Sequence, residues 1–443
     1  MTPPGTGPFV AAFNSANLGD VSPNTQGPFC NLEAGIRCNN SHSTCKGKNE
    51  GCQGYGPGGK DDFLSTKLIG TNQADKAYEL WKSANISITG NIDYRHTYLE
   101  FDNITVDKQY NPQGVAGKTC RAAMGDSFAA GTTDGPGAFN FVQGTNGTGN
   151  PFWNYVASFI AKPTEEQKKC QAPKPILFDT GGTKPFEWTP HTIPIQIVTI
   201  GNFIILAVPA EFTTMSGRRI RDEIHRVLAK IDPKKWQNSM VVIAGLANTY
   251  ADYITTFEEF QVQRYEGAST IFGPHSLGAY IQEFSKLAVA LGKGVPVAPG
   301  KAPQDLNDKM LDFNPGVIVD AHPIGKKFGD VKTDVKSSYK QGELVVVEFW
   351  GANPRNNYMT ESTFLVVEGQ DGSDWVKIVY DGSFETKFHW QSHDIAESII
   401  TIEWQTSALN RPGVYRIRYF GHSKDILGTV TPFTGTSSTF SLL

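Results

Sequence analysis

The sequence predicts two architectures in succession: an α/β (α+β) portion with a mixed sheet over residues 1–295, then a Pro- and Gly-containing linker at 296–329, then a β-sandwich over 330–443. Three observations carry this. An apolar run at 203–208, a helical pattern at 216–231 and a second apolar run at 240–243 read as strand, helix, strand, with a connection long enough for a parallel crossover. Pro296, Pro299 and Pro303, among several Gly and Lys, then interrupt the periodicity. Beyond them, short apolar runs at 344–350, 363–368, 375–380, 399–404 and 414–420 recur between turns without helical patterns. Such regular spacing predicts a sandwich of immunoglobulin type.

Taken in order, Pro8-Phe9-Val10-Ala11-Ala12-Phe13 reads as a short buried strand. It ends in Asn17-Leu18-Gly19-Asp20-Val21-Ser22-Pro23-Asn24, whose Asp, Ser-Pro and Asn are ordinary turn chemistry. Four of the six cysteines follow between Cys30 and Cys52, in a loop rich in Gly, Asn and Ser with no C-x-x-C pair. Ala74, Ala77, Tyr78 and Trp81 share one face of a helix expected at 73–84. Strand-like alternation at 86–101 contains His96, read as packed or hydrogen-bonded rather than metal-ligating. The small-residue run 127–137 lacks a Walker lysine and a strand-then-helix setting, which disfavours a phosphate cradle. Gly201-Asn202 marks a hairpin between runs at 193–198 and 203–208.

The helix of the crossover places Ile220, Ile224, Val227, Leu228 and Ile231 on one face, with Ser216 as the expected cap. Both strands of such a unit end on the same sheet edge, so the loops carrying Glu211 and Tyr253 open into one crevice, where α/β sheets place ligands. A carboxylate and a phenol there are half a metal site. Equally, Glu211 reads as a carboxylate favoured by a helix N-terminus and Tyr253 as a half-buried aromatic. A last helix carries Tyr280, Ile281, Phe284, Leu287 and Leu291 on one face. His389 and His393 have i, i+4 spacing, but in a strand that separation does not chelate.

With 40 basic against 44 acidic residues and a net charge of −4, nothing points to a nucleic-acid partner. No apolar run has transmembrane length, and no signal-peptide core is present. Sequons at Asn39, Asn85, Asn103 and Asn146, with the clustered cysteines, favour an oxidising setting: extracellular, cell-surface or the secretory lumen. No G-x-S-x-G elbow occurs.

The run Glu211-Phe212-Thr213-Thr214-Met215-Ser216-Gly217-Arg218-Arg219 resembles the central motif of the neutral (non-lysosomal) ceramidases. So do Tyr253 to Thr270, Gly273-Pro274-His275, the turn at 17–24 and the small-residue run 127–137, which the resemblance places among the catalytic domain's loops, and the resemblance extends from Gly7 to the C-terminus. It implies hydrolysis of the amide of ceramide (N-acylsphingosine), presented at a membrane surface, to sphingosine and fatty acid. It implies zinc as cofactor, held by two histidines, a glutamate that would be Glu211 and a tyrosine that would be Tyr253. Ser22 would be the active-site serine, as nucleophile or as a group positioning water and the oxyanion, and Tyr265 a second tyrosine lining the site. The pairings Cys30–Cys45, Cys38–Cys52 and Cys120–Cys170 come from the same resemblance, as does an immunoglobulin-like C-terminal module. The histidine-bearing segments of the family have no match here, and no histidine precedes Ser22. The expectation is therefore a C-terminal portion of a ceramidase, whose partner is the N-terminal catalytic segment and whose exposed apolar surface lies near 9–13. Two rival readings are an inactive binding module and an amidase for another N-acyl lipid.

Overall fold

A computed structural model describes residues 11–137, 141–144, 155, 161–309 and 316–443 of the protein. The chain divides into compact units over Phe13–Asp305 and Leu306–Leu443.

In the first unit, helix α1 (Asp62–Ser83) precedes strands β1 (Ile92–Glu100), β2 (Thr192–Ile200) and β3 (Phe203–Ala207). The two-residue strand β4 (Glu211–Phe212), helix α2 (Thr214–Ile231) and strand β5 (Met240–Ala244) follow. The sheet order is β5-β3-β2-β1, antiparallel except for the β3–β5 pair, which is parallel and joined through α2. The crossover is thus present. Gly201 closes the β2–β3 hairpin with φ +60, and a Cβ there would lie 1.8 Å from the Thr89 carbonyl oxygen, so no other residue fits. After β5 come β6 (Tyr253–Ile254), α3 (Phe257–Val262), α4 (Tyr265–Ser269) and α5 (Ser276–Gly292).

Strand alternation puts Ile193, Ile195, Ile197, Ile204, Leu206 and Ile243 on one sheet face. There they form a single core with Ile220, Ile224 and Leu228 of α2 and Tyr280, Phe284 and Leu287 of α5. Each such buried side chain contributes about 1.5–3 kcal/mol. The opposite face is also apolar, carrying Ile92, Tyr94, Val198, Ile200, Phe203, Ile205, Met240 and Val242 by the strand register. None of these joins the core, and Ile92, Tyr94 and Met240 are 74%, 65% and 63% exposed.

Several expectations are corrected. The cap of α2 is Thr213, not Ser216: the Thr213 side chain accepts from the Ser216 N–H, and Ser216, inside the first turn, donates its hydroxyl to the Ile254 carbonyl at 2.7 Å. Thr213 wins because its own hydroxyl also donates to Glu259 Oε2 at 2.8 Å in the following helix. Thr213→Ala should therefore cost about 1–2 kcal/mol in urea unfolding. A loss below about 0.5 kcal/mol would show that this cap does not hold the helix. Residues 11–13 form no strand, and Phe13 is 68% exposed, with no strand beside it among the described residues; residues 8–10 lie outside the described residues. Helix α1 starts at Asp62, capped by Asp61, rather than at 73, and its Tyr78 and Trp81 face solvent, stacked on each other. The strand expected from 86 starts at Ile92, with 84–91 irregular.

All six cysteines are paired: Cys30–Cys45, Cys38–Cys52 and Cys120–Cys170. The first two interlock and staple a small sheet of Gly27–Asn31, Ile36–Arg37 and Gln53–Tyr55. Asn39, Asn85 and Asn103 are exposed, and Asn146 lies outside the described residues. No helix among the described residues is long and apolar enough to cross a membrane.

The second unit holds β7 (Val331–Thr333), β8 (Ser338–Tyr339), β9 (Leu344–Gly351), β10 (Leu365–Asp371) and β11 (Asp374–Tyr380). It continues with β12 (Thr386–His393), β13 (Glu397–Gln405), β14 (Gly413–Lys424), β15 (Val430–Thr436) and β16 (Phe440–Leu442). These make two sheets, β7-β9-β13-β12 and β8-β16-β14-β10-β11, with β15 also on β14. Val347, Phe349, Ile402 and Trp404 of one sheet share a core with Leu365, Tyr415, Ile417 and Phe440 of the other. His389 and His393 lie on β12, exposed and in strand geometry.

Candidate functional site

The short strands β4 and β6 continue the crossover beyond the ends of β3 and β5, and they pair in parallel with Glu211 opposite Tyr253. The Glu211 N–H donates to the Asp252 carbonyl and the Thr213 N–H to that of Ile254, at 2.9 and 3.1 Å. The carboxylate and the phenol are thus set side by side by backbone pairing alone. Glu211 Oε1 also accepts from the Tyr250 hydroxyl at 2.7 Å.

The turn at 17–24 docks onto this edge through two residues. Gly19 donates its N–H to the Phe212 carbonyl, and a Cβ at this position would sit 2.6 Å from the Glu211 carbonyl oxygen. Asp20 Oδ1 accepts from both the N–H and the hydroxyl of Thr214, at 2.7 and 2.8 Å, adding a carboxylate to the N-terminus of α2. Ser22 follows two residues on. Tyr265 opens α4, its ring edge-on to Tyr253 at 5.4 Å and stacked with Phe128 at 5.9 Å.

Ser22, Glu211, Tyr253 and Tyr265 accordingly line one pocket of about 480 Å³, together with Asp20, Asp134, Arg264 and Glu266. The structure brings together all four residues that the resemblance singled out. It adds others that sequence reasoning passed over. Asp134 accepts from the Ser22 hydroxyl at 2.8 Å across 112 residues of chain. Tyr250 shares the Glu211 carboxylate, and Arg264 ties the pocket wall to the cysteine loop through the Asn40 carbonyl and the Ser43 hydroxyl, at 2.6 and 2.7 Å. Asp20 and Glu266 adjoin Ser22 and Tyr265 in the quoted motifs, which was the available signal. Asp134 had only its place in the Gly-rich run 127–137, which resembles a catalytic-domain loop of the ceramidases.

The electrostatics favour protonated phenols. Burial first, then the hydrogen bond and charge of Glu211, push Tyr253 and Tyr250 well above the usual phenol range. Burial and Glu211 likewise raise Tyr265, and burial raises Glu266. Behind the pocket, burial pushes Asp252 up to about 7 and pulls Lys174 down to about 7, each opposed by the charge of the other. Lys174 Nζ spends its protons on the Ala123 and Thr270 carbonyls, at 3.0 and 2.7 Å, anchoring the end of α4.

Catalytic zinc takes three protein ligands and a water. Glu211 and Tyr253 offer two oxygen donors, but none of the nine histidines lines the pocket. Among the described residues, the grouping of three candidate donors is Cys30, Cys38 and Cys45, all consumed in disulfides. The described residues therefore do not complete a zinc site.

Comparison with known proteins gives a consistent answer. Residues 1–282 match the family model described as neutral/alkaline non-lysosomal ceramidase, N-terminal, and residues 284–442 match its C-terminal counterpart. Neutral ceramidase B of Dictyostelium discoideum is 51% identical over 98% of this chain and 61% of its own length. Neutral ceramidase 2 of Arabidopsis thaliana is 51% identical over 98% and 58%. A solved ceramidase complexed with C2 superimposes with a TM-score of 0.76 at 35% identity, covering 98% of this chain and 63% of that one. Neutral ceramidase from Pseudomonas aeruginosa gives 0.69 at 33%, covering 87% and 58%. The chain thus spans about three-fifths of the length of the curated relatives it matches.

Proposed function

Because the chain belongs to the neutral/alkaline non-lysosomal ceramidase family, we propose that its pocket serves an amidohydrolase cleaving the amide of ceramide to sphingosine and a fatty acid. The observation that carries this reading is the meeting of Ser22, Glu211, Tyr253 and Tyr265 in one crevice at the strand ends. Amide hydrolysis needs a group to attack or to position water, and donors for the oxyanion that develops. Ser22 suits the first task and the protonated phenol of Tyr265 the second. Zinc dependence is part of the proposal: Glu211 and Tyr253 act as two ligands, and the remaining donors come from polypeptide other than residues 1–443. The substrate is a sphingolipid presented at a membrane surface, outside the cell or in the secretory lumen, where disulfides and sequon glycans form.

The second unit we read as an immunoglobulin-type module. In support, its strand order, β7-β9-β13-β12 against β8-β16-β14-β10-β11, follows the A-B-E-D and A′-G-F-C-C′ arrangement. The Tyr415 hydroxyl donates to the Arg411 carbonyl at 2.6 Å near the start of β14, in the manner of a tyrosine corner.

The test is turnover of a fluorescent ceramide by the complete protein, with zinc quantified in parallel. Ser22→Ala should lose at least about 10²-fold in kcat, the size expected when a reacting group is lost or misplaced, while zinc stays bound. Near-normal turnover would remove Ser22 from the site, and a different preferred N-acyl lipid in a substrate panel would redefine the substrate.

A further inference from the structure

A serine hydroxyl has one proton to donate and two lone pairs to offer. In the pocket, the proton of Ser22 is directed to Asp134 Oδ1 at 2.8 Å, while one lone pair accepts the Asn24 N–H at 3.1 Å. The lone pair that remains is the group's free valence. The Asn24 side-chain amide also donates to Asp134 Oδ1, so this carboxylate gathers both ends of the Ser22-Pro23-Asn24 turn.

Asp134 is itself held. Its N–H donates to the Thr132 hydroxyl at 3.2 Å, and the Gly54 N–H donates to the Thr133 carbonyl at 2.5 Å. Gly54 lies in the strand Gln53–Tyr55, next to the disulfide-bonded Cys52. A Cβ on Gly54 would come within 3.0 Å of both the Asn24 amide nitrogen and the Thr133 carbonyl oxygen, so the stapled strand presses the serine turn and the Asp134 loop together. Asn49, three residues before Cys52, donates to the Ala130 carbonyl at 3.2 Å on the same loop. The interlocked disulfides thereby have a local purpose: they fix where the carboxylate stands relative to the serine.

We propose that Asp134 is a positioning residue for Ser22, engaging the hydroxyl proton at its own carboxylate so that Ser22 presents a lone pair to the substrate or its water and is not the oxyanion donor. This rests on the amidohydrolase reading above. Oxyanion donation then falls to the phenol of Tyr265, which lines the same pocket edge-on to Tyr253.

A double-mutant cycle on the complete protein tests it, with fluorescent ceramide as probe. Asp134→Leu should lower kcat about 100-fold, the size expected when a reacting group is misplaced, with KM changed less than about twofold. Asp134→Asn keeps an accepting oxygen and should lose far less. In a Ser22→Ala background, Asp134→Leu should cost nothing more, because groups acting through one another are not additive. Independent losses that multiply, or unchanged kcat in folded Asp134→Leu, would overturn the proposal; equal losses in Asp134→Leu and Asp134→Asn would also do so. Normal turnover by Ser22→Ala alone would instead bring down the underlying reading of the site, and the proposal with it.

Discussion

Glu211→Ala should abolish zinc binding and turnover together in the complete protein. The carboxylate stands beside Tyr253 by β4–β6 pairing and accepts from the Tyr250 hydroxyl at 2.7 Å. Alanine removes the only carboxylate set opposite the Tyr253 phenol by that pairing; of the four ligands the resemblance implies, two histidines and a phenol remain, and the phenol is a weak donor until a firmly held cation displaces its proton. Bound zinc should fall from about one per chain to near zero, and kcat by at least about 10³-fold, a loss in keeping with the several kcal/mol a metal supplies at such a site. The backbone pairing does not involve the side chain, so the fold should survive, less about 1–3 kcal/mol for phenols left without their acceptor. Glu211→Gln separates the two effects, since it keeps an acceptor for the phenols but not the charge. Tyr253→Phe, which removes a single oxygen, should weaken zinc binding and turnover without abolishing them. Full zinc occupancy in Glu211→Ala would exclude Glu211 as a ligand.

How far such a site is legible from sequence depends on the range of the interactions that build it. The crossover was readable because its determinants are local: apolar runs at 203–208 and 240–243 and a 3.6-residue stripe between them. The crossover placed Glu211 and Tyr253 at one crevice because they stand just past the strand ends, but their roles came from the motif resemblance, since two-residue strands carry no periodicity of their own. The cap was misplaced because Thr213 and Ser216 are both competent, and the choice is made by Glu259, 46 residues away, which accepts from the Thr213 hydroxyl. Residues 11–13 illustrate the same limit from the other side: an apolar segment becomes a strand only where a partner strand exists. The pairing of Asp134 with Ser22 was illegible even though its loop resembled a catalytic one, since the contact spans 112 residues and the loop follows no repeat.

Residues 1–443 purified alone should bind zinc weakly and turn over ceramide at no appreciable rate, and they should aggregate. Two independent features of the first unit lead to this expectation. The pocket offers Glu211 and Tyr253 but no histidine, and a phenol raised by burial and a neighbouring carboxylate is a poor ligand until a firmly held cation displaces its proton. The sheet, meanwhile, has one packed face and one open one. Val198, Ile200, Phe203, Ile205 and Val242 stand on the open face between the more exposed Ile92, Tyr94 and Met240. This face adds to the exposed Phe13 of the region expected to be apolar at 9–13, of which residues 9 and 10 lie outside the described residues. A contiguous apolar sheet face beside edge strand β1 favours self-association. About two-fifths of the relatives' own length lies outside the match, enough both to cover such a face and to supply further ligands. Adding that polypeptide, fused or as a separate chain, should therefore restore zinc, turnover and solubility in one step and quench binding of an apolar dye such as ANS. Charged substitutions at Ile205 and Val198 should leave the α2–α5 core folded, because neither side chain belongs to it, yet block the restoration. Zinc-dependent turnover by residues 1–443 alone, or restoration indifferent to those charges, would show that the ligands or the covered face had been wrongly assigned.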